Sequence, residues 1–220
     1  NDYSFSIKNE RHFGNTHYKR AEVYAVTGNY ELALKDYNTA IDMQPKDAKA
    51  YAGRGRCKAS LTDFEGAVKD FTKVIELDSL NLPAFSYRGN LFAAMKQYDN
   101  AMQDFNRVIQ LDPANKMAFS NRGSVKAAMQ DFKGAIEDYD QAISIDKQFR
   151  NAYSNRAQSK AELGDYEASI ADFDEALELD PKFKLAYYNR GVAKYNIKDY
   201  AGATADFTTV INLDPEDVDA

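Results

Sequence analysis

The chain has no tryptophan, a single cysteine (Cys57) and only two histidines (His12 and His17). One cysteine rules out an internal disulfide and a cysteine-based metal cluster. Histidines five residues apart do not share a helix face, and no Gly-rich phosphate loop or nucleophile motif accompanies them. Nothing in the sequence calls for a metal, a cofactor or a catalytic group. No apolar run approaches the roughly 20 residues that span a bilayer, and the start shows no signal-peptide pattern. The first residue is Asn1 rather than Met, which reads as a processed or trimmed start. Basic residues are in the minority: 28 Lys and Arg face 34 Asp and Glu, a formal charge of −6. That balance argues against nucleic acid as a partner, which would call for a basic stripe. What is present, 44% hydrophobic and 28% charged residues over 220 positions, suits one or two ordinary domains or one array of repeats.

A repeat is what the chain contains. Six turn dipeptides, Gly28-Asn29, Thr62-Asp63, Lys96-Gln97, Gln130-Asp131, Gly164-Asp165 and Lys198-Asp199, follow one another at a constant step of 34 residues. They define six units: 14–47, 48–81, 82–115, 116–149, 150–183 and 184–217. Each unit reads as helix, tight turn, helix. The residue after each dipeptide is aromatic (Tyr30, Phe64, Tyr98, Phe132, Tyr166, Tyr200). Three on, it is small (Ala33, Ala67, Ala101, Ala135, Ser169, Ala203), and four further it is aromatic again (Tyr37, Phe71, Phe105, Tyr139, Phe173, Phe207). Spacings of i, i+3 and i+7 predict a buried stripe on each second helix. Small residues let backbones approach, and aromatics fill the space between units. Residues 1–13 match nothing later and read as an irregular lead-in, with helix beginning near Asn9 to Asn15.

With these columns the chain resembles the tetratricopeptide repeat (TPR) family over residues 14–217. The first-helix aromatics Tyr51, Phe85, Phe119, Tyr153 and Tyr187 fit its pattern, with His17 in that place in the first unit. So do the small and aromatic columns of the second helix and the terminal Pro of several units; Ser79 and Lys147 depart from it. The resemblance implies an all-α, right-handed superhelical solenoid of antiparallel helix pairs. First helices would line a concave groove and second helices its convex back. It further implies a non-enzymatic scaffold that binds a peptide or protein segment in the groove.

Two columns stand out. Every first helix carries Arg (Arg20, Arg54, Arg88, Arg122, Arg156, Arg190), and every second helix carries Asp before its second aromatic (Asp36, Asp70, Asp104, Asp138, Asp172, Asp206). A row of guanidinium groups could face an acidic partner. The equal count favours a structural ladder of Arg–Asp pairs that fixes helix register. The residue before each Arg faces the groove in the family: Lys19, Gly53, Tyr87, Asn121, Asn155 and Asn189. An Asn amide both donates and accepts, so a row of three suits the backbone of an extended peptide. The alternative is a set of solvated polar residues. Tyr87, Asn90, Asn121, Asn155, Gln158, Tyr188 and Asn189 are the expected groove contacts. Small residues, among them Ser120, Ser124, Ala127, Ala128 and Ser154, are expected to line the groove around them. Some relatives capture a C-terminal carboxylate with Lys, Asn and Arg; here Ser86, Asn151 and Asn155 stand where cations are needed, so that ligand is not expected. First-helix lysines Lys58, Lys126, Lys160 and Lys194 are expected to be solvated or to pair with the turn residues Asp63, Asp131, Asp165 and Asp199.

After unit six only Val218, Asp219 and Ala220 remain, too few for a capping helix. Thr204, Phe207 and Ile211 should then form an exposed end face. The alternative function is therefore a structural module that self-associates through uncapped ends, giving a homo-oligomer by end stacking.

Overall fold

The computed structural model describes the backbone of residues 2–213 and the side chains of residues 14–213. Its regular elements are twelve α-helices. They are α1 (Asp2–Val26), α2 (Tyr30–Met43), α3 (Ala48–Ser60), α4 (Phe64–Leu77), α5 (Leu82–Ala94) and α6 (Tyr98–Leu111), followed by α7 (Lys116–Ala128), α8 (Phe132–Ile145), α9 (Arg150–Glu162), α10 (Tyr166–Leu179), α11 (Lys184–Asn196) and α12 (Tyr200–Leu213). Each odd helix packs on the even helix that follows it, giving six helix–turn–helix pairs. The chain divides into two compact units, Asn1–Leu111 and Asp112–Ala220. The first holds α1 to α6 and the second α7 to α12.

Where an irregular lead-in was expected over 1–13, the backbone of α1 is helical from Asp2. No proline interrupts residues 2–26, so nothing blocks the i→i−4 ladder once the first pair has nucleated it. The tail Val218, Asp219 and Ala220, expected to carry no capping helix, lies outside the described residues.

The same backbone device makes all six turns within the pairs. The first residue of each dipeptide has a positive φ: 77° at Gly28, 62° at Thr62, 59° at Lys96, 65° at Gln130, 82° at Gly164 and 66° at Lys198. The next residue's N–H then reaches back five positions to a free carbonyl, as in Asp63 N to Lys58 O at 2.9 Å and Asp131 N to Lys126 O at 2.9 Å. That closes the first helix with a Schellman motif. Four of the turns then start the second helix with an aspartate cap. Asp63, Asp131, Asp165 and Asp199 accept from the N–H groups of Gly66, Gly134, Ala168 and Gly202. Between pairs, Asp78, Asp112, Asp146 and Asp180 each accept from a backbone N–H two residues on, the hydrogen bond of an Asx turn.

The core is a series of small clusters within and between the pairs of each unit. In the first unit Phe71, Val74 and Ala67 of α4 meet Ala84 and Leu91 of α5. In the second, Phe173 and Leu177 of α10 meet Ala157 of α9 and Ala186 of α11. Small residues let the rings in: a Cβ built at Gly123 would lie 2.9 Å from the Tyr139 ring. The column three after each turn aromatic is buried in every copy. The turn aromatics themselves are only half-buried, and Tyr200 is exposed. The stripe is thus narrower than the spacing suggested. Ser169 carries the one buried hydroxyl without a hydrogen-bond partner among the described residues.

Candidate functional site

Arg and Asp residues sixteen apart meet in every pair. Arg54 donates from Nε to Asp70 Oδ2 at 2.9 Å and from its Nη2 to Oδ1 at 2.6 Å. The same fork joins Arg20 to Asp36, Arg88 to Asp104, Arg122 to Asp138, Arg156 to Asp172 and Arg190 to Asp206, with bonds of 2.5–2.9 Å. All six aspartates are buried. Five of the arginines keep side-chain exposures of 16–19%, and Arg20 reaches 57%. A ring one helical turn before the Arg covers the guanidinium in five pairs, for example Tyr51 under Arg54 at 5.3 Å and Tyr187 under Arg190 at 5.3 Å, a cation–π contact.

Two further contacts use these same charges. The remaining arm of the guanidinium crosses to the second helix of the preceding pair: Arg54 to Asn38, Arg88 to Thr72, Arg156 to Asp140 and Arg190 to Asp174. One Arg therefore ties three helices. The first-helix lysines take the buried aspartates rather than the turn aspartates. Lys58 lies 2.9 Å from Asp70, Lys126 2.9 Å from Asp138, Lys160 2.8 Å from Asp172 and Lys194 2.9 Å from Asp206. This corrects the pairing expected with Asp63, Asp131, Asp165 and Asp199. Those four side chains are occupied as helix caps, whereas a Lys four residues after the Arg lies on the same helix face. In the first pair Tyr24 stands in the lysine column, and His17, three residues before Arg20, makes a further contact to Asp36 Oδ1 at 3.0 Å. Arg20, with His17, holds the Asp36 carboxyl below its usual range against the effect of burial. At Asp206 burial pushes the other way, and Arg190 and Lys194 together outweigh it. Each of the six guanidinium groups is thus engaged by an aspartate within its own helix pair.

The seven expected groove residues are divided between the two units. Tyr87 and Asn90 lie exposed on α5 of the first unit, with the Tyr87 ring stacked on Phe71 at 5.2 Å. Asn121, Asn155, Gln158, Tyr188 and Asn189 lie on α7, α9 and α11 of the second, where these first helices stand side by side. Asn121, Asn155 and Asn189 are half-buried, and Gln158 and Tyr188 are exposed. The Asn155 and Asn189 amides make no side-chain hydrogen bond among the described residues. Gly53 holds the same column in α3 because the Tyr37 ring occupies that space: a Cβ there would sit 2.4 Å from it. Ser120 and Ser154, expected to line the groove, are buried at 5% exposure; their small size serves packing. Thr204 and Ile211 are exposed on α12, and Phe207 is half-buried against Tyr188 at 5.9 Å.

A cavity of about 460 Å³ opens between α7, α8 and α9. The Asn155 and Gln158 amides, the Glu162 carboxylate and the Phe132 ring line it. So do the hydroxyls of Ser124 and Tyr139, which lie 3.2 Å apart. Burial raises the Tyr139 pKa above its ordinary value although the Ser124 contact works against it, so its hydroxyl keeps its proton and can donate as well as accept. The sequence columns did not mark Ser124 and Tyr139 as partners, because Ser and Tyr at those two positions coincide only in this pair. No helix among the described residues is long and apolar enough to cross a membrane.

Family models described as tetratricopeptide repeat match residues 18–81, 83–115, 118–149 and 185–217, and one described as TPR repeat matches 158–198. The chain belongs to the tetratricopeptide repeat family. A TPR protein from Parabacteroides merdae has a TM-score of 0.81 at 17% identity, over 91% of this chain and 80% of that one. Pseudomonas aeruginosa PilF gives 0.77 at 18% identity, over 96% and 95%. YrrB, described as a TPR protein with an unusual peptide-binding site, gives 0.63 at 23% identity, over 82% and 93%. At these identities the likeness establishes the TPR fold. No curated protein matches the sequence.

Proposed function

We propose that this TPR protein is a non-catalytic interaction scaffold whose second unit binds an extended peptide segment along α7, α9 and α11. The observation that carries this reading is the pair of unengaged amides at Asn155 and Asn189, one per first helix, on a face that also exposes Gln158 and Tyr188. An extended backbone offers alternating N–H and C=O groups, and Asn can satisfy either. A half-buried amide left without a partner has a hydrogen bond to gain from such a ligand. Exposed Tyr188 supplies an aromatic anchor beside it. The peptide-binding description of YrrB supports the same reading.

Selection of random nine-residue peptides on the immobilised protein tests it. The reading predicts that peptides are enriched and that Asn155→Ala with Asn189→Ala weakens them at least about tenfold, the value of one or two hydrogen bonds, with the helical circular dichroism unchanged. Selected peptides that bind the double variant as tightly as the parent would refute it.

A further inference from the structure

The cavity between α7, α8 and α9 has a direct counterpart in the first unit, and the two differ in charge. In the first unit Glu22, Tyr37, Gly53, Arg56 and Cys57 line a cavity of about 260 Å³. Tyr37 and Tyr139 stand in the same column of the repeat, which is Phe in the other four copies. The first-unit carboxylate is already engaged: Glu22 accepts from Tyr18 at 2.8 Å through one oxygen and from Lys19 at 2.8 Å through the other. Arg56 adds a cation to that lining. In the second unit the carboxylate is Glu162, which makes no ion pair or hydrogen bond among the described residues, and no cation lines the cavity. The lysines of α7 and α9, Lys126 and Lys160, are held by Asp138 and Asp172.

We propose that this second-unit cavity receives one basic side chain, lysine or arginine, of a bound extended peptide. The proposal rests on the peptide-binding reading above and names the chemistry that reading leaves open. A cation brings three to five donors and no acceptor. The cavity presents a carboxylate, two hydroxyl oxygens and amide oxygens to receive them, and the Phe132 ring in the same lining can add a cation–π contact. An anionic side chain would meet Glu162 as a like charge. An apolar one would strip water from the amides and the carboxylate without replacing its hydrogen bonds. The cavity volume exceeds that of one side chain, so the cation can enter with part of its hydration.

The experiment takes peptides selected on the intact protein and replaces each Lys or Arg in turn with norleucine. Affinity is then read by fluorescence anisotropy against the parent, Glu162→Gln and Tyr139→Phe. Phe is the residue of this column in the neighbouring repeats, so Tyr139→Phe keeps the packing, and exposed Glu162 can change without disturbing the core. One position is expected to lose about tenfold on replacement with norleucine in the parent, the size of a charge-assisted hydrogen bond. Glu162→Gln should erase that difference, and Tyr139→Phe should shrink it. Selected peptides without a basic residue, or a norleucine penalty that survives Glu162→Gln, would overturn the proposal and leave groove binding in place. A selection that enriches no peptide would overturn both.

Discussion

At the scale of single residues, the buried aspartates set the sharpest demands. An anion out of water is tolerated only while paired, and removing its partner strands it. The pairs differ in how many partners the anion has. Asp70 is held by Arg54 and Lys58, whereas Asp104 is held by Arg88, with Phe92 where a lysine stands in the neighbouring pair. Arg88→Leu should therefore cost about 3–5 kcal/mol. Arg54→Leu leaves Lys58 on Asp70 and should cost about 1–2 kcal/mol. Guanidinium denaturation midpoints of the two variants measure the gap, and equal losses would mean that the lysine adds nothing. The sixteen-residue offset between Arg and Asp can be read from the sequence because both residue types recur in all six copies. The third arm of the Arg was hidden, because its acceptors Asn38, Thr72, Asp140 and Asp174 lie in a column that mixes Asn, Thr and Asp rather than keeping one residue type. The lysine partners were hidden for another reason. The turn aspartates are closer in sequence, and only the cap geometry shows that they are occupied.

At the scale of helices and turns, the 34-residue step and the small and aromatic columns were enough to place all twelve helices. The left-handed backbone at each turn was less visible. Gly28 and Gly164 point to it, but Thr62, Lys96, Gln130 and Lys198 adopt the same positive φ without being glycine. A β-branched residue is the least suited to that region. Thr62→Gly should relieve about 1 kcal/mol of strain, less what glycine gives back as unfolded-chain entropy. The expected result is a higher midpoint of thermal unfolding, and a lower one would show that the Thr62 side chain holds the turn. The helical start of α1 escaped the sequence reading because residues 1–13 have no counterpart in the later copies, so the column comparison had nothing to align there.

At the scale of the whole molecule, the TPR architecture was legible because six copies agree on it. The site was legible only in part. The Asn column could be read as solvated or as ligand-binding, and both readings fit its half-buried exposure. The cavity beside Asn155 was not legible at all, since it depends on Ser124 and Tyr139 meeting across two helices, and on Glu162 remaining unpaired while Glu22 is engaged. The central claim is that an extended peptide lies against the first helices of the second unit. The most direct measurement is the NMR signals of the Asn155 and Asn189 side-chain amides, in protein labelled with ¹⁵N at asparagine, during titration with a selected peptide. The account predicts that both signals shift and saturate with the same affinity as the bulk binding curve. Saturated binding with both signals unmoved would contradict it.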